Sequence, residues 1–165
     1  MKVLGIDPGM ALLGWGVIET TSSQPKLVDY GCIETASHQP LTERLLQIFR
    51  KVKGLLSKYR PSALALETLF FVKNAKTLAQ VGHSRGVILL AAGRAKVDVF
   101  EYAPRQIKMA LTGYGGAEKR QMQIMIQRLL NLPEIPRPDD AADAVAVALC
   151  HAQYSPSMRR SALTV

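Results

Sequence analysis

The feature that most constrains the fold is a short apolar stretch near the start of the chain that ends in an acid. Val3 to Ile6 carry no charge, and Asp7, Pro8 and Gly9 follow them directly. An uncharged run of this length predicts a short strand buried on both faces. Pro8 has no N–H to give a neighbouring strand and Gly9 can adopt positive φ, so we expect the strand to end at Asp7. Taken alone, this carboxylate could simply open a turn, as Asp often does before Pro-Gly.

A second apolar stretch also ends in an acid. Residues 63–66 are uncharged, and Glu67 follows them. Between the two stretches, residues 41–59 repeat apolar side chains at helical spacing. A strand–helix–strand crossover of this length favours parallel pairing of the two strands. Asp7 and Glu67 would then emerge side by side at one edge of the sheet, although a Glu at a strand end can also simply reach solvent.

A third group of acids opens the last predicted helix. Asp139 can act as the N-cap, and Asp140 and Asp143 stand three residues apart, so both project from one face. Acids at a helix N-terminus complement the helix dipole without any further function, but Asp139 alone would meet that need. Ala142 and Ala146 on the inner side are small enough to let this helix sit tightly on a sheet.

The remaining patterns complete an α/β architecture. Residues 12–19 alternate apolar side chains with Gly14 and Gly16, whose lack of a side chain would let another element approach. With residues 27–34 as a third strand, short connections make the first three strands an antiparallel meander. Further elements are predicted as helices at 74–92, 104–112 and 118–130 and as a strand at 97–101. We expect a five-stranded mixed sheet, a three-strand antiparallel meander plus two parallel strands, flanked by helices.

The length of 165 residues suits one domain with a core of its own. We expect residues 1–154 to form that domain. Residues 155–165 are polar and basic with few apolar anchors, which predicts a disordered tail. Gly82 and Gly86 stand four apart in a predicted helix, where two helices could approach closely. In a soluble protein such spacing packs helices within one chain more often than between two copies.

The net charge of +8 indicates a polyanionic partner. Nucleic acid is favoured over an acidic membrane because the basic residues are spread along the chain and form no long basic amphipathic helix. A basic surface without a partner is the alternative. No apolar run is long enough to cross a bilayer, and the first residues do not match a signal peptide. Cys32 and Cys150 lack a C-x-x-C spacing, so a reducing cytoplasm is the simplest location.

Four converging carboxylates in so basic a chain would need cations. Mg²⁺ and Mn²⁺ prefer oxygen ligands, and two such ions about 3.5–4 Å apart can clamp a phosphodiester for in-line attack by water. The basic residues elsewhere would hold the phosphate backbone that the acids repel. No His or Cys pair has the spacing of zinc ligands, and the sequence contains no P-loop, serine-hydrolase or dinucleotide motif. The expected ligands are Asp7, Glu67, Asp140 and Asp143.

In the order and spacing of these motifs the sequence resembles the bacterial crossover-junction endonuclease family RuvC. The resemblance covers nearly the whole chain and rests on residues 5–9, Glu67, 70–74, 117–119 and 140–143. It implies an RNase H-like fold, a homodimer, Mg²⁺, and paired symmetric cuts in four-way (Holliday) DNA junctions during recombination and repair. It also implies partnership with the RuvA and RuvB branch-migration proteins.

The same resemblance assigns roles to the acids. The family's catalytic positions fall on Asp7, Glu67, Asp140 and Asp143. Some relatives carry His at the third of these positions, whereas this chain keeps the all-carboxylate version. Asp139 has no catalytic counterpart in the resemblance.

Two segments are expected to hold DNA. Adjacent aromatics cannot both face the core of a strand, so Phe70 or Phe71, flanked by Lys73 and Lys76, could stack on or wedge beside an unpaired base. The alternative is a hydrophobic plug under a loop. By resemblance, Phe70 holds the base-stacking position.

The second segment is the glycine-rich stretch 112–116, which leads into a helix N-terminus that suits a phosphate. Lys108, Lys119 and Arg120 would assist, and Lys108 and Lys119 match basic positions near the active site of the family. A plain hinge between helices is the alternative.

The sequence therefore predicts a structure-selective endonuclease that resolves four-way junctions by two-metal phosphodiester hydrolysis. Three other functions stay open. An actin-like nucleotide-binding fold shares the Gly-Ile-Asp-x-Gly start but needs two lobes and a second phosphate loop, for which this chain is too short. The others are a junction-binding protein without chemistry and a related RNase H-like nuclease that acts on RNA.

Overall fold

The computed structural model describes residues 1–21, 24–68 and 75–161, with side chains as far as residue 155. In chain order the elements are β1 (Lys2–Asp7), β2 (Leu12–Thr20), β3 (Pro25–Glu34), α1 (Leu41–Tyr59), β4 (Ala63–Glu67), α2 (Ala75–Ala95), β5 (Asp98–Tyr102), α3 (Pro104–Thr112), α4 (Lys119–Leu129) and α5 (Asp139–Ser161).

The strands form one mixed sheet in the order β3-β2-β1-β4-β5. β1 pairs antiparallel with β2, which pairs antiparallel with β3; β4 pairs parallel with both β1 and β5. This arrangement confirms the predicted RNase H-like sheet. Because Ile6 is in register with Leu66, the next residues, Asp7 and Glu67, leave neighbouring parallel strands at the same edge.

Helices cover both faces of the sheet. On one face, α1 and α2 pack against Leu4 and Ile6 of β1 and Leu64 and Leu66 of β4, all of them fully buried. On the opposite face, α3, α4 and α5 pack around Val3 of β1 and the strands beside it. The alternation of side chains along β1 therefore divides the core into two layers.

Helix α5 lies on the central strands with almost no side chain between the two backbones. A Cβ built on Gly5 of β1 would stand 2.2 Å from the Ala144 carbonyl oxygen, and one on Gly14 of β2 would stand 2.0 Å from the Asp140 carbonyl oxygen. Both distances are far inside van der Waals contact. This backbone-to-backbone fit confirms the close approach that the β2 glycines predict. Since Gly14 is in register with Asp7, it also brings Asp140 beside Asp7.

Helix α2 differs from its prediction at the glycines. No described residue outside the neighbouring turns of α2 places an atom within 4 Å of a Cβ built on Gly82 or Gly86, so the described part of the chain shows none of the expected close packing at these glycines. Residues 75–83 of α2 are exposed or half-buried, and the first buried residue of the helix is Ser84. The first part of α2 therefore projects from the body of the described chain.

Two further observations concern the chain as a whole. Helix α5 is described as far as Ser161, inside the range 155–165 for which the sequence predicts disorder. The domain limit near residue 154 and the disordered tail stay predictions. Among the described helices, none combines the length and the apolar content that crossing a bilayer requires.

Candidate active site

The acids of two strand ends and one helix N-terminus share a single electrostatic environment. Asp7 ends β1 and Glu67 ends β4, and the Asp7 carboxyl donates a hydrogen bond to the Glu67 carboxylate. Asp140 and Asp143, in the first turns of α5, are close enough for their charges to act on Asp7. The structure thus brings together all four acids that the sequence singles out.

This crowding changes the proton affinity of the site. Burial, and then the charges of Glu67, Asp143 and Asp140, raise the pKa of Asp7 from 3.8 to about 7. Burial and the Asp143 charge also raise the pKa of Glu67, and burial raises that of Asp143. Burial, together with neighbouring negative charge, therefore disfavours the ionised forms of Asp7, Glu67 and Asp143.

The donor set fits a hard divalent cation. All four side chains offer carboxylate oxygens, which Mg²⁺ and Mn²⁺ prefer. Within the described ranges, however, no three His, Cys, Asp or Glu side chains are arranged as a ready ligand set for a metal ion. The charges of the other three acids act on Asp7, but their side chains would have to move to share an ion.

A lysine occupies part of this acidic site. Lys119, the first residue of α4, places its Nζ 3.2 Å from an oxygen of Asp143 and 3.2 Å from an oxygen of Asp139. Burial works to lower the pKa of Lys119, but its bonds to Asp139 and Asp143 outweigh that effect and raise it. Asp139 also accepts a hydrogen bond from the Gln123 amide at 3.1 Å. Asp139, without a counterpart in the sequence resemblance, is thus one of the two anchors of Lys119.

A small cleft of about 230 Å³ opens between α3, α4 and α5 at this edge of the sheet. Its polar lining consists of the acids Glu67 and Asp143 and the lysines Lys108 and Lys119. The Lys108 charge acts to lower the pKa of Glu67, against the larger effect of burial. A cleft that combines carboxylates with ammonium groups suits a phosphodiester accompanied by cations.

The loop between α3 and α4 has a defined conformation. Gly113 ends α3 with φ of 74°, as the sequence predicts for a helix C-terminus. The Thr112 hydroxyl donates to the Lys108 carbonyl at 2.8 Å and accepts from the Tyr114 N–H at 3.1 Å. These bonds fix the end of α3 close to Lys108.

The other predicted DNA-binding residues are farther from the cleft or outside the described chain. Arg120 is exposed on α4 and Lys76 is exposed at the start of α2, and neither lines the cleft. Phe70, Phe71 and Lys73 lie outside the described residues.

Sequence reasoning missed two polar residues of α2 beside the acids. The Ser84 hydroxyl donates to the Gly9 carbonyl, and Arg85 donates to the Glu67 carbonyl. The only signal in the sequence is the polar run His83-Ser84-Arg85 between Gly82 and Gly86, in a helix that is otherwise largely apolar.

Comparison with known proteins gives consistent results. The family model described as "Crossover junction endodeoxyribonuclease RuvC" matches residues 3–151. A protein of that name from Roseiflexus sp. (strain RS-1) is 52% identical over 159 residues, which are 96% of this chain and 95% of the relative. The Thermus thermophilus RuvC structure superposes with a TM-score of 0.90 at 38% identity, covering 96% of this chain and 97% of that one.

A second Thermus thermophilus RuvC structure holds that protein in complex with a Holliday junction substrate. It superposes on this chain with a TM-score of 0.89 at 36% identity and covers 95% of this chain and 96% of that one. The similarity therefore extends over essentially the whole fold.

Proposed function

The chain belongs to the RuvC family of crossover junction endodeoxyribonucleases, and on that premise we propose how its residues cut a four-way DNA junction. The activity is endonucleolytic cleavage of Holliday junctions, which serves DNA recombination and repair. The observation that supports the mechanism most strongly is that four acids lie close enough for the charges of three to act on the fourth: Asp7, Glu67, Asp140 and Asp143. Two lysines line the cleft beside them.

The four acids would hold two divalent cations, Mg²⁺ with Mn²⁺ as a substitute. When bound, such ions would activate the attacking water and stabilise the leaving 3′ oxygen. Asp7 is the central ligand in this proposal because the other three acids all act on it. Rigid support from β1, β4 and α5 would hold the carboxylates in place, so that little reorganisation is needed when the substrate arrives.

The basic residues would bind the DNA backbone. Lys108 and Lys119 line the cleft beside Glu67 and Asp143, so they are placed to hold the phosphate that is cut. Arg120 and Lys76 are exposed farther away and would contact neighbouring phosphates. Phe70 or Phe71 would stack on a base near the cut.

Paired cuts in two strands require two sites, which a two-fold dimer provides. The exposed side of α2 supports a second copy as its partner, since Leu78 and Leu90 are 43% and 58% exposed. Gly82 and Gly86 leave room there for another helix. Partnership with RuvA and RuvB and a cytoplasmic location complete the proposal.

The test is incubation of a labelled four-way junction with and without Mg²⁺, beside duplex DNA, an RNA–DNA hybrid and the Asp7→Asn variant. We expect paired nicks in the junction that need Mg²⁺ and are lost in Asp7→Asn. Junction binding without cleavage by the wild type would instead indicate a structural junction-binding protein. Preferential cutting of the hybrid would indicate a ribonuclease.

A further inference from the structure

Two consecutive residues in the middle of α2 hold the backbone beside both acid-bearing strand ends. We infer that Ser84 and Arg85 are positioning residues that set the placement of Asp7 and Glu67 for cation binding and cleavage. The inference rests on the proposed metal-dependent activity and adds residues that touch neither the DNA cleft nor the carboxylate groups themselves.

Ser84 fixes the turn that follows Asp7. Its side chain is fully buried, and its Oγ donates to the Gly9 carbonyl oxygen at 2.9 Å. The turn is tight, because a Cβ built on Gly9 would stand 1.8 Å from the Leu12 carbonyl oxygen. Gly9 lies two residues beyond Asp7 and outside β1, so this bond fixes the backbone just past the last β1 residue that pairs with β2.

Arg85 fixes the corresponding position on β4. Its Nη1 donates to the Glu67 carbonyl oxygen at 2.8 Å, and its Nη2 lies 2.5 Å from a carboxylate oxygen of Glu101 on β5. Pairing of β1 with β4 ends at Ile6 and Leu66, so Glu67 is held by its pairing with Tyr102 of β5 but is no longer paired with β1. The Arg85 side chain is only 13% exposed, and a charge-assisted bond in such surroundings is strong. One guanidinium therefore joins α2 to the ends of β4 and β5.

The position of these residues along α2 gives the bonds their importance. Residues 75–83 project from the body without a buried side chain, and Ser84 is the first residue that the core covers. At 1.5 Å per residue the projecting part is about 13 Å long. Movement of the projecting part would be transmitted to the point where α2 joins the body. At that point Ser84 and Arg85 are hydrogen-bonded to the Gly9 and Glu67 carbonyls. Loss of either bond would let the acids move, and misplacement of about 1 Å in a catalytic group can cost about 10²-fold in rate.

The test compares Ser84→Ala and Arg85→Lys with Arg94→Lys, a matched change at an exposed position near the end of α2. Lysine keeps the charge of Arg85 but cannot bond Glu67 and Glu101 together. Three quantities are measured on the full chain: Mn²⁺ affinity by electron paramagnetic resonance, junction affinity in EDTA, and the single-turnover cleavage rate at saturating junction across a Mg²⁺ titration.

We expect Ser84→Ala and Arg85→Lys to weaken Mn²⁺ binding by about 10–100-fold, the usual effect of losing a residue that supports metal ligands. The Mg²⁺ requirement for cleavage should rise in parallel, while junction affinity changes less than about twofold. Arg94→Lys should behave as the wild type. Unchanged Mn²⁺ affinity in both variants would overturn the inference, and so would a loss of junction affinity as large as the loss of cleavage.

Glu101→Gln keeps the inference testable if Arg85→Lys fails to fold. It removes the ion pair but leaves the bond from Arg85 to the Glu67 carbonyl, so we expect a loss of Mn²⁺ affinity smaller than that of Ser84→Ala. A Glu101→Gln loss larger than that of Ser84→Ala would count against positioning through the backbone. Wild-type protein that binds Mn²⁺ but cuts no junction would refute the proposed function, whereas the Mn²⁺ affinities of the variants would still decide the inference.

Discussion

The two faces of the sheet are packed in different ways. Under α1 and α2, the central strands present large aliphatic side chains that interlock with aliphatic side chains of the helices. Under α5, the same strands present Gly5 and Gly14, and the helix backbone rests directly on the strand backbone. Side chains can change rotamer to absorb a small misfit, but two backbones in contact cannot. We infer that the face carrying Asp140 and Asp143 is positioned more rigidly than the face that packs through interlocking side chains.

The largest effect should follow a methyl group added at the α5 contact. In Gly14→Ala the new Cβ would meet the Asp140 carbonyl oxygen at 2.0 Å, so the start of α5 must move. We expect cleavage to fall by about 10²-fold and the free energy of unfolding by about 3 kcal/mol. Single-turnover cleavage and urea unfolding measure the two losses.

Gly54→Ala is the control on the other face. Gly54 lies in α1, and no described residue outside its own helical turns has an atom within 4 Å of a built Cβ. Alanine there should raise helix stability by about 0.5–1 kcal/mol and leave cleavage unchanged. A folded Gly14→Ala protein with normal cleavage would show that the α5 contact is not rigid.

The next effect tests the electrostatic consequence of that rigidity. Because the pKa of Asp7 is raised from 3.8 to about 7, the folded metal-free chain binds more protons than the unfolded chain between these pH values. Its stability therefore falls as pH rises through this window. Asp7→Asn removes the effect and should stabilise the metal-free chain at pH 8 by about 2 kcal/mol, roughly half of what a shift of this size allows, since Glu67 shares the proton.

Urea unfolding in EDTA between pH 4 and pH 8 measures this difference, which should vanish towards pH 4. Asp98→Asn, a change at an exposed acid, is the matched control and should follow the wild-type pH profile. Mg²⁺ should raise the melting temperature of the wild type more than that of Asp7→Asn. Parallel pH profiles for Asp7→Asn and the wild type would contradict the crowding of charge at this edge.

A smaller effect is expected on the aliphatic face. Ile48 of α1 is fully buried, and Ile48→Val removes one methylene from a packed layer of side chains. We expect the free energy of unfolding to fall by about 0.5–1.5 kcal/mol. Cleavage per folded molecule should stay within about twofold of wild type, because neighbouring side chains can adjust. A cleavage loss comparable to that of Gly14→Ala would remove the contrast between the two faces.

The smallest effect concerns the cleft itself. Lys108 lines the cleft on the α5 face, so Lys108→Ala should weaken junction binding. The slope of log affinity against log salt concentration should become shallower by about one, the loss of one phosphate contact. Lys53, exposed on α1, offers the matched removal of a charge from the other face. Fluorescence anisotropy across a salt titration measures both slopes. Equal slopes for Lys108→Ala and the wild type would exclude a phosphate contact at this lysine.

The sequence predicted those parts of the molecule that local patterns specify. Uncharged runs that end in Asp7 and Glu67, separated by one helix, are enough to predict neighbouring parallel strands, because crossover connections follow general rules. The glycines of β2 and the alanines of α5 likewise predicted a close contact. The fold and the side-by-side placement of the first two acids follow from such patterns.

The remaining contacts have no local signature. The bonds from Ser84 and Arg85 to the Gly9 and Glu67 carbonyls join segments that are distant along the chain and depend on the rotation of α2 about its axis. The pairing of Lys119 with Asp139 and Asp143 depends in the same way on how α4 meets α5. The openness of Gly82 and Gly86 could not be foreseen either, because glycine spacing does not specify which neighbour, if any, fills the gap.

The pairing of Lys119 with Asp139 and Asp143 affects how DNA first approaches the site. The pKa of Asp7, one of the four clustered carboxyls, is raised to about 7, so this group is partly protonated near neutral pH, and Asp143 is paired with an ammonium group. To an approaching polyanion the metal-free pocket therefore presents much less repulsion than four bare acids would. Binding of divalent ions would displace the proton of Asp7 and release Lys119 from Asp143. Metal binding and DNA binding would then not oppose each other.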